Sequence, residues 1–492
     1  MRPQLHLVAV VATVLLFSPS RSFAGDHFFV PHSMVVAKAD FTPYAIAVRP
    51  CETRFFDRSL NGGNPACYGP SAIRAAYGLT PMIDAGFTGK GRSIVILTAF
   101  GSPTALADLR AFDLAFGIPD PPSFKVVTMP GTPAFDENDA NHVMWAQETS
   151  LDVQWAHAIA PGAKIVLIAA ASNSEMDLLA GLNRAIDKRL GDVISISFGE
   201  SEAFLSDDDG LRIVRAWEKA FRRARERDIT VFAASGDQGS TNIADEYGDI
   251  LPFQNVSYPA SSPNVTAVGG TNLLFGKDGQ ADPNGKYLGE TVWNDTPQGI
   301  SFAGGGGVST FFKRPGYQAT LPASARRMLH MQRGIPDVAY NAGIVGGVLV
   351  YLGFLGQPSF FIMGGTSAGA AQWAGVIADL DQAVGRPLGF LNNHLYKLGS
   401  IGVREREEKH WGARGRLFHD ITVGDNGFCG TDVEWNAVCV PGFSATKGWD
   451  LATGWGTPNF GVVAALFEHA HHHDDDCDDD SGGSDRRGDD RR

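Results

Sequence analysis

The chain has 492 residues, enough for one large domain or two to three ordinary ones. Hydrophobic residues make up 44% of it and 58 positions are glycine, a balance that fits a filled core with many turns. The formal net charge of −13 argues against nucleic acid or an anionic membrane as a partner.

In chain order, the first element is "MRPQLHLVAVVATVLLFSPSRSFAG". A basic start, an apolar run too short to span a bilayer comfortably and a small-x-small ending predict a signal peptide over residues 1–24. Export follows, either to the outside of the cell or to a periplasm. Residues 25–68 form a short segment before the main domain. The next predicted elements alternate. "RSIVILTAF" (92–100), "KIVLIAA" (164–170), "DVISISF" (192–198) and "ITVFAAS" (229–235) read as buried strands. Between them, 174–190 and 209–228 carry helical spacing. The alternation predicts an α/β fold with a mainly parallel central sheet flanked by helices on both faces, and an active site at the carboxyl ends of the strands. Residues 240–345 are richer in Gly, Pro and Asn and read as loop-heavy. The tail 467–492 is charged and of low complexity, and is expected to be disordered. His469 and His471–His473 within it read as solvated, not as a metal site. Cys51 lies near Cys67, and Cys429 near Cys439. Two local disulfides are expected in an exported chain, with free thiols as the alternative, and Cys477 is left over.

"FIMGGTSAGAAQWAG" (361–375) raises the question of chemistry. Glycines allow a tight turn, and Ser367 then sits at a helix N-terminus, where free N–H groups favour negative charge. Such a serine needs a base. None of the thirteen histidines has the Gly-flanked surroundings of a subtilisin histidine; His142 and His157 only flank another pattern. That pattern, "WAQETSLDVQWAHAIAP" (145–161), sets Glu148 and Asp152 four residues apart, on one helix face. Side-by-side carboxyls repel, so one holds its proton more tightly. An acid pair is usually a solvated face, but the apolar neighbours here leave few exposed positions. A third acid, Asp237, follows a strand-like run in "VFAASGDQGS"; turn-capping is its plain alternative.

Several blocks in order resemble the sedolisins, the serine-carboxyl peptidases of subtilisin-like fold: "ETSLDVQWAHAIAPGA", "ISISFGESE", "AASGDQG", "YPASSPNVTAVGGT", "RGIPDVAYNAG", "GGTSAGAAQWAG", "HDITVGDNG" and "GWDLATGWGTPNF". The likeness covers about residues 69–466. It implies Ser367 as nucleophile, Glu148 as general base and acid, Asp152 as the residue orienting Glu148, and Asp237 as oxyanion donor. It implies that Ser197, Phe198 and Gly199 line the substrate cleft. It further implies one structural Ca2+, held by the Asp420 and Asp450 carboxylates and the carbonyls of Ile421, Thr446 and Gly448. The expected partners are protein or peptide substrates, met as a monomer at acid pH. A tripeptidyl exopeptidase and a catalytically silent binding protein are the alternatives. The chain departs from the family in four ways: the expected segment between signal cleavage and catalytic domain is shorter than the long folded pro-segment usual there, Ala371 stands where proline is common, Phe198 where tryptophan is frequent, and Thr446 where glycine is usual.

Overall fold

The computed structural model describes residues 28–38, 67–244, 248–273, 287–356, 358–405 and 417–460. The predicted signal peptide, Cys51, Cys477 and the charged tail lie outside the described residues.

The labelled strands and helices are as follows in chain order. Two strands, β1 (Val30–Pro31) and β2 (Met34–Lys38), precede β3 (Ser93–Ala99) and β4 (Phe124–Thr128). Helix α1 (Ala140–Ile159), β5 (Lys164–Ala170), α2 (Glu175–Asp187), β6 (Val193–Ile196) and β7 (Phe198–Ser201) follow. Then come α3 (Asp208–Arg225), β8 (Thr230–Ala234), β9 (Ser257–Tyr258), β10 (Thr266–Leu273) and β11 (Glu290–Val292). The last labelled elements are β12 (Val338–Asn341), β13 (Gly347–Leu352), β14 (Ser359–Gly364) and α4 (Thr366–Val384).

An eight-stranded sheet forms the centre, in the order β11-β10-β8-β6-β3-β5-β4, with β12 also paired to β10. Every pairing in it is parallel except that of β11 with β10. Side chains alternate across a strand, and the cores follow that rule. Ile94 and Ile96 of β3 pack with Leu151 and Trp155 of α1 and Ala374 of α4. Val95 and Leu97 pack instead with Leu182 of α2 and Trp217 and Phe221 of α3. Both faces are therefore covered, and this is why the strand sequences read as unbroken apolar runs. Caps set the helix starts: the Asp139, Ser174 and Asp207 side chains each accept backbone N–H bonds at the first turns of α1, α2 and α3. Among the described residues, no helix is long and apolar enough to cross a membrane.

The loop-heavy reading of 240–345 is only partly matched, because β9, β10, β11 and β12 all fall within it. Their runs are short or glycine-broken, so period-two alternation is weak there. Two smaller sheets matter for the site. One is β1-β7-β9, antiparallel throughout. In the other, β2 pairs antiparallel with β14, the strand that runs into the Ser367 turn.

Candidate active site

Strand β14 delivers the chain to Gly364, and α4 starts two residues later. Between them Gly365 has φ of 125°. A Cβ at Gly365 would collide with the His32 carbonyl oxygen, Ser33 Cα and Asp237 Oδ2, so both conformation and space call for glycine. Ser367 follows in the first turn of α4, fully buried. First-turn N–H groups have no partner within their own helix. The Ser367 N–H donates to the His32 carbonyl, 3.1 Å away. The Ser367 hydroxyl donates to the Ser197 carbonyl at 3.2 Å.

On α1, Glu148 and Asp152 point the same way and neither has any exposure. The solvated-face alternative is therefore excluded. Glu148 Oε2 accepts a 2.5 Å bond from the Ser33 hydroxyl, and Ser367 and Asp152 lie within hydrogen-bonding reach of the same carboxyl. Asp152 Oδ1 accepts from the Ser197 hydroxyl at 2.8 Å. Burial, then the neighbouring Asp152, holds Glu148 well above the usual carboxylate range, against the pull of the Ser33 and Ser367 hydroxyls. Burial raises Asp152 as well. Two such groups share a proton and titrate as a unit.

Asp237 stands three residues past β8, after Gly236 at φ of 110°. Its Oδ1 accepts two bonds from Thr366, from the N–H and from the hydroxyl, each 2.9 Å. Burial lifts Asp237 well above its ordinary value; the two Thr366 donors oppose this, and the Glu148 charge adds to it. A carboxyl so placed stays protonated and can donate.

The segment Phe28–Lys38 threads this site. On one side of Ser367, Val30 and Pro31 pair with Gly199 and Phe198, and the His32 N–H donates to the Ser197 carbonyl at 3.0 Å. Phe28 bridges to Ser174, and the Phe29 N–H donates to Asn173 at 3.0 Å. On the other side, Met34, Val35, Ala37 and Lys38 pair with Gly364, Met363, Ile362 and Phe361. Ser197, Phe198 and Gly199 thus form one wall along an extended peptide. Phe29 is fully buried, with its ring 5.2 Å from those of Phe198 and Trp217, and Trp145 lies behind Phe198. Burying a phenylalanine in this way contributes ~1.5–3 kcal/mol. The His32 ring turns away from the carboxyls to Ser257 Oγ, 3.2 Å away. Gly199 makes room for it, since a Cβ there would press on His32 Nε2 and Ser257 Oγ. Burial lowers His32 to about 3, so the ring is neutral. Among the described residues, no imidazole is hydrogen-bonded to Ser367 or Glu148.

The sequence pattern that defines the subtilase family matches residues 131–395, more than half the chain. The kumamolisin of Bacillus sp. (strain MN-32) is 34% identical over 416 residues, 83% of this chain and 65% of that protein. The sedolisin of Pseudomonas sp. (strain 101) is 27% identical over 412 residues, 83% of this chain and 62% of that protein. A solved Pseudomonas sedolisin, described as a serine-carboxyl proteinase complexed with two molecules of pseudo-iodotyrostatin, matches with a TM-score of 0.65 at 28% identity. That match covers 83% of this chain and 99% of the solved one. This chain belongs to the sedolisin branch of the subtilase family. It spans less than two thirds of the length of both curated relatives.

In this sedolisin the residues expected at a calcium site come together. The Gly448 N–H donates to Asp420 Oδ1 at 2.9 Å, and the Thr446 N–H donates to Asp450 Oδ2 at 2.7 Å. One loop, 446–448, therefore ties two carboxylates. Ile421 is buried beside them. Thr446 is not among the described residues of positive φ, so threonine sits there without strain, while Gly448 has φ of 87°. Burial pushes Asp450 up to about 7, the mark of a carboxyl short of positive charge. The groups seen around Asp450 are donors, the Thr446, Ala452 and Thr453 N–H groups and the Thr453 hydroxyl, and among the described residues no group of three or more His, Cys, Asp or Glu gathers; the two carboxylates are of the chemical type that suits Ca2+.

Cys429 and Cys439 are disulfide-bonded, on paired strands. Cys67 is also disulfide-bonded, and its predicted partner Cys51 lies outside the described residues. His142 and His157 serve structure: His142 Nδ1 accepts the Asp136 N–H, and His157 Nε2 contacts Pro119 and Asp113. Sequence reasoning missed His32, Ser33 and Phe29 in the cleft, and Ser257 behind His32. The only signal was the apolar run "FFVPHSMVVA", which looks like an ordinary strand.

Proposed function

We propose that the chain is an exported serine-carboxyl endopeptidase that works in acid. The observation that carries this reading is a peptide seated on the site in reacting order. The carbonyl of His32 takes the Ser367 N–H, and the following residue, Ser33, rests on Glu148. In the reaction Ser367 Oγ attacks a substrate carbonyl as Glu148 takes its proton. Asp152 shares charge with Glu148 and holds it in place. Neutral Asp237 and the Ser367 N–H stabilise the oxyanion. Glu148 then gives the proton to the leaving amine, and water resolves the acyl-enzyme by the same route.

The internal mode of cutting is supported by length. The docked segment runs on through Val30, Phe29 and Phe28 before His32, with pairing all the way. A cleft for release of tripeptides would end three residues from the cut. Acid action is supported by a carboxyl that donates only when protonated. Export is supported by the N-terminal sequence pattern and by the Cys429–Cys439 bond. Asp420 and Asp450, with the carbonyls of Ile421, Thr446 and Gly448, would hold Ca2+. Its chemistry would be charge neutralisation in that loop.

The test is a pH–activity profile on denatured protein for the native chain and Ser367→Ala, with peptide mapping of the products. Internal cuts peaking well below neutrality, and abolished in the variant, are expected. A maximum near pH 8, an active variant, or release of tripeptides alone would overturn the reading.

A further inference from the structure

We infer that Glu175 and Glu200 are a positioning pair for the substrate: a hydrogen bond between their carboxyls joins α2 to β7 and holds together the two walls that grip a peptide upstream of the cut. This rests on the peptidase reading and adds the residues that make a long substrate better than a short one.

The grip on the upstream chain is divided between two elements. Counted back from His32, whose carbonyl takes the Ser367 N–H, Pro31 and Val30 pair with Phe198 and Gly199 of β7. Beyond them the partner changes. The Phe29 N–H donates to the Asn173 carbonyl at 3.0 Å, the Asn173 side chain returns a bond to the Phe29 carbonyl at 3.3 Å, and Phe28 bridges to Ser174. Asn173 and Ser174 lead directly into α2, whose first residue is Glu175. A peptide engages both holds at once only if β7 and the start of α2 keep a fixed separation, because hydrogen bonds weaken steeply once their geometry is lost.

Glu175 and Glu200 sit at that join. Glu200 is the residue of β7 just past Gly199, and it pairs with Tyr258 of β9. Its carboxyl is within hydrogen-bonding reach of Glu175, which is buried. Trp217 of α3 ties in the third side: its ring meets that of Phe29 edge-on at 5.2 Å, and its Nε1 donates to the Glu175 carbonyl at 3.2 Å. Two ionised carboxyls in contact would repel, so the join requires a shared proton. Burial, then the hydrogen bond and charge of Glu175, then the charge of Asp207 at the head of α3, hold Glu200 above the usual carboxylate range. Glu175 lies in the first turn of α2, where the helix favours an ionised acid. Glu200 is therefore the donor and Glu175 the acceptor.

Packing alone does not call for such a pair. Two apolar side chains would join the same elements without the cost of taking carboxyls out of water. A directional bond fixes the separation of its two elements more sharply than apolar contact does. The pair is also apart from the reacting atoms: the acids at the nucleophile are Glu148 and Asp152 on α1 and Asp237 beside Thr366. Its loss therefore acts on the binding of long peptides and not on bond breaking.

The experiment uses the full chain in acid and two synthetic peptides with the same residues around the cut. One carries five residues before the cut, enough to reach the start of α2, and the other carries two. The readout is the ratio of kcat/KM, long to short, with kcat and KM resolved for each. The native ratio is expected to be roughly tenfold or more. Glu200→Gln, whose amide still donates to Glu175, should keep that ratio. Glu200→Ala should lower it about fivefold or more, through KM of the long peptide, with the short peptide unchanged. Where Glu200→Ala does not fold, Glu200→Asp takes its place, since it draws the carboxyl back by one methylene and should lower the ratio too. If the disrupting variant slows both peptides equally, the pair only supports the fold and the inference fails alone. It fails alone as well if that variant leaves the ratio unchanged, or if Glu200→Gln loses as much as Glu200→Ala. If the native chain cuts neither peptide, the peptidase reading fails and takes this one with it.

Discussion

Thr366 binds Asp237 twice through one oxygen: its N–H and its hydroxyl both donate to Oδ1, at 2.9 Å each. With Oδ1 acting as a double acceptor, the proton of the neutral acid belongs on Oδ2, which faces Gly365 and the His32 carbonyl. Thr366 thereby aims the proton as well as placing the carboxyl. Asp237→Ala should lower kcat by ~10²–10³, the usual worth of one oxyanion donor. Asp237→Asn keeps a donor that does not ionise. Its activity should persist to higher pH than that of the native enzyme, and a pH–rate profile of the two variants checks this.

The carboxyl pair sets the other limb. Glu148 must be ionised to accept the Ser367 proton, and burial and Asp152 resist that ionisation. Activity should fall as pH drops through the first titration of the pair. Glu148→Gln should cost ~10³ or more in kcat with little change in KM, because the lost interaction belongs to the transition state. Asp152→Asn should cost less and move the acid limb downward, since Glu148 then ionises without a neighbouring acid.

Buried acids also tie stability to pH. Burial raises Asp152, which shares its proton with Glu148, and pushes Asp381 up to about 7. Unfolded aspartates titrate near ~3.9. Between those limits the folded state holds more protons than the unfolded one, so stability falls as pH rises. Docked His32, lowered to about 3, has the opposite slope up to its unfolded value of 6.5. The net loss should therefore be steepest just above pH 6.5, where His32 no longer opposes it and Asp381 titrates. Thermal melts of Ser367→Ala across this range should show Tm falling by several degrees, and Asp381→Asn should flatten the fall.

The loop at 446–448 makes a prediction about calcium. Ligand binding at a hundredfold excess over Kd stabilises a fold by ~2.7 kcal/mol. A chelator should lower Tm by several degrees and Ca2+ should restore it, while Mg2+, which demands shorter and more regular coordination, should not. Asp450→Ala should remove the response and also lower Tm without chelator, since Asp450 Oδ1 caps the Ala452 and Thr453 N–H groups.

Much of this was legible in the chain. The strands at 92–100, 164–170, 192–198 and 229–235 were readable because burial on both faces demands apolar residues at every position. Glu148 and Asp152 were legible because their helix is apolar almost all round, which leaves a carboxyl pair no solvated face to occupy. The observed α3 stops at Arg225 and not at 228, because the Ile229 N–H turns back to Ala224 and Asp228 takes a φ of 56°. The segment 28–38 was not legible as a cleft occupant. Its buried positions answer to β7 and β14, far away in sequence, and nothing local distinguishes such a run from any edge strand. For the same reason His32 could not be singled out among the histidines.

The docked chain runs as a strand on either side of a bend at His32, Val30–Pro31 against β7 and Met34–Lys38 against β14. A native globular protein rarely exposes so long a ribbon with free edges on both sides of one bond. Prey must first give up its own helices and sheets, so digestion will be gated by the target's unfolding. Under the proposed acid mechanism, the medium that keeps Asp237 neutral would also loosen most mesophilic proteins, so one change would arm the enzyme and open its substrate.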